Sequence, residues 1–402
     1  MQRTKLLGGL FVLTLASLLQ GEDWIQWRGP QRDGISRDTA VVLPWKSAPK
    51  VLWERAIGAA FSAVTGLGDV VYTCGTEEKK QVLFCLNATT GDVVWKVAFE
   101  PECKDRQGGD GTRATPTIDA GKVYIFGALG TVLCVDAKTG KEVWSRKFSN
   151  KPQWAYSGSV LIEGDLAVAY PGKGDGGMAA FNKVTGEPVW KAGDDGAGYA
   201  TAYPFTFGGK RYLAGHTATQ AIIVDAQTGR IACSIPWKTS YDVNASTPIF
   251  HDGHLFLTSG YGVGCALFKL EVAGDKIEAK EVWRNKTIRN KFHTCVLTEG
   301  KLYSGDEEAL KCIDFLTGAT AWRKDDAGGE KTVNGSLILS GGHILFLSEK
   351  GQLQVAKADP KDFVPLGSVK VLGGRCWTVP TIHNGRLYVR NFEKVVCLDL
   401  RG

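Results

Sequence analysis

The residues able to do chemistry in this chain do not fall into any of the short spacings that build a catalytic centre. His251-Asp-Gly-His254 sets two imidazoles three residues apart, a spacing that zinc sites use. Yet the Asp-Gly between them is in register with Glu163-Gly-Asp165 and Asp119-Ala-Gly-Lys122, so turn chemistry accounts for the pair. Pro171-Gly-Lys-Gly-Asp-Gly-Gly177 is Gly-rich, but it lacks the Lys-Ser/Thr ending and strand-to-helix setting of a phosphate loop. No Ser-His-Asp or Glu-Glu arrangement emerges from any segment. The expectation is therefore no catalytic residue and no metal site.

What remains is a set of unlike residues at one register. Arg113, Tyr156, Thr201, Ala245, Phe292, Asn334 and Trp377 each stand two residues before a Thr-Pro-type strand opening or its equivalent, with Tyr199, Asn244, Lys291 and His293 beside them. Variety at one position of a repetitive frame is what a single site on a repeated scaffold produces. Arg113, Tyr156, Tyr199, Asn244, His293, Asn334 and Trp377 are the candidate ligand-binding residues. Arg113 suits a carboxylate and Trp377 a planar ligand.

The frame that must position them is a repeat. Asp or Asn, two residues, Thr-Gly, three residues and Trp recur at 87–95, 136–144, 182–190 and 314–322. Asp225-Ala-Gln-Thr-Gly229 keeps the turn but has Cys233 at the Trp position. The leading residues Asn87, Asp136, Asn182 and Asp225 are spaced by 49, 46 and 43; the steps on to Asp314 and Asp399 are 89 and 85. Those two are double periods, each hiding a degenerate copy, near Glu271 (with Trp283) and near Ala358. Eight units of about 45 residues follow, the period of a propeller or solenoid.

Local chemistry explains the motif. Asp, Asn and Thr bond nearby backbone N–H groups, Gly takes the positive φ that ends the turn, and Trp lies on the outgoing strand where it covers the next unit. Each unit opens with two strands around a Gly turn, as in Thr115-Pro-Thr-Ile-Asp-Ala-Gly-Lys-Val-Tyr. Four short strands make one blade. The last unit stops after Asp399 without a fourth strand, and an orphan strand at 50–57 carries Trp53. That strand completes the last blade, so the fold class is an all-β, eight-bladed propeller with a closed ring. Trp53, Trp95, Trp144, Trp190, Trp283 and Trp322 are its docking tryptophans, and the candidate binding residues face its central channel.

Composition agrees. Fifty Gly and 12 Trp against 2 Met suit short strands and tight turns and disfavour a helical bundle. Arg3, Lys5 and the apolar run at 6–19 read as a signal peptide over residues 1–21, followed by a lead-in at 22–49 and a single propeller at 50–402. Without Arg3 and Lys5, 46 basic residues face 42 acidic ones, too even a balance for a nucleic-acid partner. No lipidation Cys follows the apolar run, and no transmembrane span is expected in the mature chain. The expected location is the periplasm or the exterior. Cys85, Cys134, Cys312 and Cys397 share one register and read as small buried residues. Cys74 and Cys85 flank one hairpin and leave a bridge open, while Cys103 in a polar loop is the candidate reactive thiol.

The run Asp136-Ala-Lys-Thr-Gly-Lys-Glu-Val-Trp144 resembles the tryptophan-docking repeat of the pyrroloquinoline-quinone (PQQ) dehydrogenases and their PQQ-like propeller relatives. The opening Trp24-Ile-Gln-Trp-Arg-Gly-Pro-Gln-Arg-Asp-Gly34 is similar to the lead-in of exported bacterial PQQ-repeat proteins. The blade motif also resembles that of the propeller lipoprotein of the outer-membrane β-barrel assembly machine. The resemblance implies the fold; activity does not transfer with it. PQQ alcohol dehydrogenases have an adjacent-cysteine disulfide over the cofactor, carboxylate and amide ligands for Ca²⁺ and an Asp base. This chain has no adjacent Cys pair, no matching carboxylate cluster and no Cys-x-x-Cys-His haem site. The favoured reading is a monomeric, non-catalytic binding or scaffold module for a protein, peptide or glycan, without a cofactor. The alternative is a PQQ- and Ca²⁺-dependent alcohol or sugar dehydrogenase with a divergent pocket. The insertions at 100–112 and 262–280 are the expected partner contacts.

Overall fold

The computed structural model describes residues 21–105, 107–327 and 330–402. The leader expected at 1–21 lies outside these except for Gly21. Among the described residues there is no helix. Eight antiparallel four-stranded blades form a ring: 65–101, 117–147, 161–192, 203–236, 249–285, 296–324, 336–370, and 381–399 completed by Val51–Ala56. We number them 1 to 8. In blade 8, Trp53 pairs with Cys397 and Glu54 with Val396, so the orphan strand closes the ring as its position predicts.

The repeat motif is the turn into each outermost strand. In blade 2, Asp136 Oδ1 accepts from the Lys138 and Thr139 N–H groups, and the Gly140 N–H donates to Asp136 O at 2.9 Å. Gly140 has φ +70°, and a Cβ there would lie 2.7 Å from the Trp95 ring of blade 1. The indole lies flat on the neighbouring turn and needs that hydrogen. Trp95 Nε1 also donates to Ala137 O at 3.1 Å. The same bond runs from Trp144 to Lys183, Trp190 to Ala226, Trp283 to Phe315, Trp322 to Asp359 and Trp53 to Ala88. Each tryptophan thus locks one blade to the next.

The shared cysteine register has a packing explanation. In blades 1, 2, 6 and 8 the third-strand Cys lies between a Tyr on the second strand and the docking Trp on the fourth, as in Tyr124–Cys134–Trp144. A small side chain leaves room for the two rings, which tilt together at 6.1 Å in that blade. All ten cysteines are free. Cys74 faces Leu83 and Cys85 faces Tyr72, so the two thiols are diagonal neighbours, farther apart than a disulfide spans. Cys103 is buried, and burial pushes its thiol pKa up. That overturns its reading as the reactive thiol, since reactivity needs an exposed thiolate.

The lead-in enters the ring. Trp24 exchanges backbone bonds with Gly66 of blade 1, Ile25 O accepts from Ile118 of blade 2, and Arg32 Nη2 donates to Ile162 O of blade 3. Arg28 reaches Thr294 O and Cys295 O at blade 6, and Ile35–Ser36 adds a parallel strand to blade 7. Asp38 Oδ2 accepts from Gly385 of blade 8. Residues 24–38 therefore stop one end of the channel. Farther along, Trp45 packs on Gly367 of blade 7, filling the place where that blade's fourth strand has no Trp.

Candidate functional site

A cavity of about 290 Å³ occupies the other end of the channel. It is lined by the connectors that carry each outermost strand to the next innermost one, with Trp27 of the lead-in among its walls. Hydroxyl links set the spacing of these connectors. The Ala63 N–H donates to Thr115 Oγ1, Thr115 N–H to Ser159 Oγ, and Ser159 N–H to Thr201 Oγ1, at 2.9–3.2 Å. Thr378 Oγ1 donates to Phe61 O across the ring closure at 3.1 Å. Small β-branched and hydroxyl residues at strand openings serve here as inter-blade fasteners.

Of the seven candidate residues, the fold brings Arg113, Tyr199, Asn334 and Trp377 to the cavity wall. Arg113 is closed on its own loop: Nη2 bonds Asp105 Oδ2 at 2.8 Å and Gly109 O at 2.7 Å, and Nη1 bonds Gly111 O at 2.8 Å. Its carboxylate partner is internal. Tyr199 OH accepts from the Trp154 N–H at 3.3 Å, and burial pushes its pKa up to about 12. Asn334 has φ +52°, accepts from His293 Nε2 through its backbone carbonyl, and reaches Glu349 at 3.4 Å. Trp377 Nε1 donates to Glu349 Oε1 at 2.6 Å. Its ring meets Phe61 at 5.6 Å, Phe292 at 4.7 Å and the Arg375 guanidinium at 4.4 Å.

Tyr156, Asn244 and His293 lie behind that wall. Tyr156 OH donates to Pro171 O. The Asn244 amide donates to Thr217 O, Ala218 O and Trp237 O and accepts from Ser259 Oγ. Burial holds His293 neutral, with its pKa pushed down to about 4. Thr201, Ala245, Phe292 and Lys291, flagged by register or neighbourhood, do line the cavity. Sequence reasoning missed Trp27, Phe61, Trp154 and Tyr261. The Trp24-Ile-Gln-Trp27 density in the lead-in was the available signal for the first.

The lining includes no Asp or Glu. Lys291 carries its ammonium 5.3 Å from the Tyr261 ring centroid and makes no ion pair among the described residues. The nearby Glu307 is engaged by Arg289 and by the Tyr261 N–H. A hard cation such as Ca²⁺ wants several oxygen ligands with carboxylates among them, and this wall supplies hydroxyls and two amides. The residues present do not fit a Ca²⁺-held quinone. No group of three or more potential ligands that could hold a metal ion occurs among the described residues. No helix there is long and apolar enough to cross a membrane.

With fold and cavity in view, a family model described as outer membrane protein assembly factor BamB matches residues 78–324. The chain belongs to this family of PQQ-like β-propellers. BamB of Burkholderia pseudomallei (strain K96243) is 26% identical over 177 residues, covering 35% of this chain and 45% of that protein. Quinoprotein alcohol dehydrogenase PedH of Pseudomonas putida (strain KT2440) is 33% identical over 125 residues, covering 29% of this chain and 20% of that protein. The chain spans less than half the length of either curated relative. Among solved structures, BamB from Moraxella catarrhalis matches with TM-score 0.62 at 15% identity, covering 88% of this chain and 98% of that one. Quinohemoprotein alcohol dehydrogenase from Comamonas testosteroni matches with TM-score 0.66 at 12% identity, covering 94% and 81%. These likenesses show the fold. Both an outer membrane protein assembly factor and alcohol dehydrogenases stand among the relatives.

Proposed function

We propose that this propeller is an exported, non-catalytic binding module that holds a protein, peptide or glycan partner at the axial cavity. Residues 1–21 act as a cleaved leader, 22–49 as the lead-in and 50–402 as a single propeller, working as a monomer in the periplasm or outside the cell. The observation that carries this reading is the cavity wall, which is rich in rings and hydroxyls, lacks carboxylates, and has its one arginine already closed on Asp105. Such a wall can bind, but it offers no carboxylate to act as general base for proton abstraction. Of the insertions at 100–112 and 262–280, the first, which brings Gln107 and Gly108 to the cavity, is the expected partner contact.

The second reading is a quinoprotein dehydrogenase for an alcohol or sugar, favoured by the 33% identity to PedH over 125 residues. A titration of the purified chain with PQQ and Ca²⁺, followed by dye reduction with alcohols and sugars, separates the two. The binding-module reading expects neither stoichiometric tryptophan quenching nor turnover. Stoichiometric PQQ binding with dye reduction overturns it.

A further inference from the structure

The chemistry of the cavity narrows the partner; this step rests on the binding-module reading. Three hydroxyls of the wall, on Thr115, Ser159 and Thr201, each accept a backbone N–H from the neighbouring connector. Their own O–H hydrogens have no acceptor among the described residues, and all three residues are at least nine-tenths buried. Lys291 adds a cation without an ion pair among the described residues. With no Asp or Glu in the lining, the wall presents mainly donors and positive charge, and its one buried acceptor without a partner among the described residues is the Asn334 amide oxygen. A sugar, whose hydroxyls must both give and receive hydrogen bonds, would leave its own donors poorly met. A carboxylate needs donors alone.

The remaining surface is aromatic: Trp27, Trp154, Tyr261 and Phe292 contribute rings. Ring pairs at 4.5–7 Å are favourable beyond their buried area, so a flat apolar group is the matching occupant. The lead-in stops the channel's far end, so nothing can thread through. About 290 Å³ sits at the lower edge of ligand-pocket size, enough for one large side chain and its backbone. A blind, ring-lined, donor-rich cavity takes the end of a chain rather than its middle.

We infer that the cavity receives the C-terminus of a partner polypeptide, with an aromatic last residue among the rings and its α-carboxylate on Lys291. The cavity contributes binding only, and no bond is made or broken.

The test is calorimetric titration of the purified chain with acetyl-Gly-Ser-Gly-Phe bearing a free carboxylate, and with the same peptide amidated. The free acid binds at least about tenfold more tightly than the amide. Lys291→Met abolishes that preference without shifting the melting temperature, and Lys291→Arg retains it. Equal affinity for acid and amide overturns the inference, as does absence of binding by both up to about 1 mM. Trigalacturonate binding in place of the peptide also overturns it, while leaving a glycan-binding module standing. PQQ with Ca²⁺ binding stoichiometrically with dye reduction removes the binding-module reading itself.

Discussion

At one end of the axial channel, Arg28 is wholly buried and gives its guanidinium to the carbonyls of Arg32, Asp33, Thr294 and Cys295. At the other, Lys291 is half-exposed and has a ring face but no ion pair among the described residues. Both ends are bounded by the same innermost strands. One is occupied by a segment of the chain itself, and the other holds mainly donors, with the Asn334 amide oxygen as its unpartnered acceptor among the described residues. Where the chain supplies the occupant, most polar groups are satisfied, Arg32 Nε excepted, and the energy goes into stability. Where it does not, the unmatched groups describe something else that fits.

The largest test of that contrast is Arg28→Ala. Burial lowers the guanidinium pKa and the nearby Asp33 opposes that shift, while four carbonyls accept its N–H groups. Removing it strands those carbonyls and opens a void joining the lead-in to blade 6. The expected cost is about 4 kcal/mol, read from denaturant unfolding. A loss below about 1 kcal/mol would show that the plug contributes little to the ring.

Next is Trp144→Ala, which removes a nearly buried indole, its bond to Lys183 O and its cover over Gly186. About 3 kcal/mol should be lost. Trp45→Ala in the lead-in, standing in for blade 7's absent tryptophan, should cost less because that ring is more exposed. Equal losses would show that Trp45 works as a full blade tryptophan.

These two ends also differ in how far the sequence discloses them. The ring is legible because each blade repeats its turn: Asn87, Asp136, Asn182 and Asp314 all bond the N–H three residues on. A period makes one local rule readable many times. The register of the cavity wall followed from the same period, which is why Thr201, Phe292 and Trp377 fall where expected. Tyr156 and His293 turn away because strand-opening residues can face the channel or the neighbouring blade, a choice set by packing. Arg113 looked free because Asp105, its partner, lies in an insertion with no counterpart in other units. The plug was illegible for a further reason. Its contacts join residues hundreds of positions apart, as between Arg28 and Cys295, and no periodic pattern encodes them.

A smaller effect comes from the imidazoles behind the wall. His216 and His293 are buried, and burial pushes both pKa values from 6.5 down to about 4. The unfolded chain binds their protons near pH 6.5 and the folded chain resists until about pH 4. Stability is therefore fully present above about pH 7 and falls as the pH drops towards 4. Each imidazole should account for about 2 kcal/mol of that loss by pH 5. Urea midpoints at pH 7.5 and pH 5 read it, and His293→Gln should flatten the slope. An unchanged slope in that variant would mean that His293 is solvated in the folded state.

The smallest stability effect is the one that most sharpens the comparison. Lys291→Met removes a charge that makes no ion pair among the described residues and keeps an unbranched stem of similar length. What is lost is a half-exposed cation–π contact, and unfolding should shift by no more than about 0.5 kcal/mol. Arg28→Met at the plugged end also keeps its stem but strands two buried and two part-buried carbonyls, so it should remain costly. The two substitutions make the same chemical change at the two ends of one channel. If Lys291→Met destabilised the ring as Arg28→Met does, Lys291 would be part of the scaffold and the open end would have no unmatched charge to offer a partner. A neutral result leaves its ammonium as a group held in place by the fold and used by something outside it.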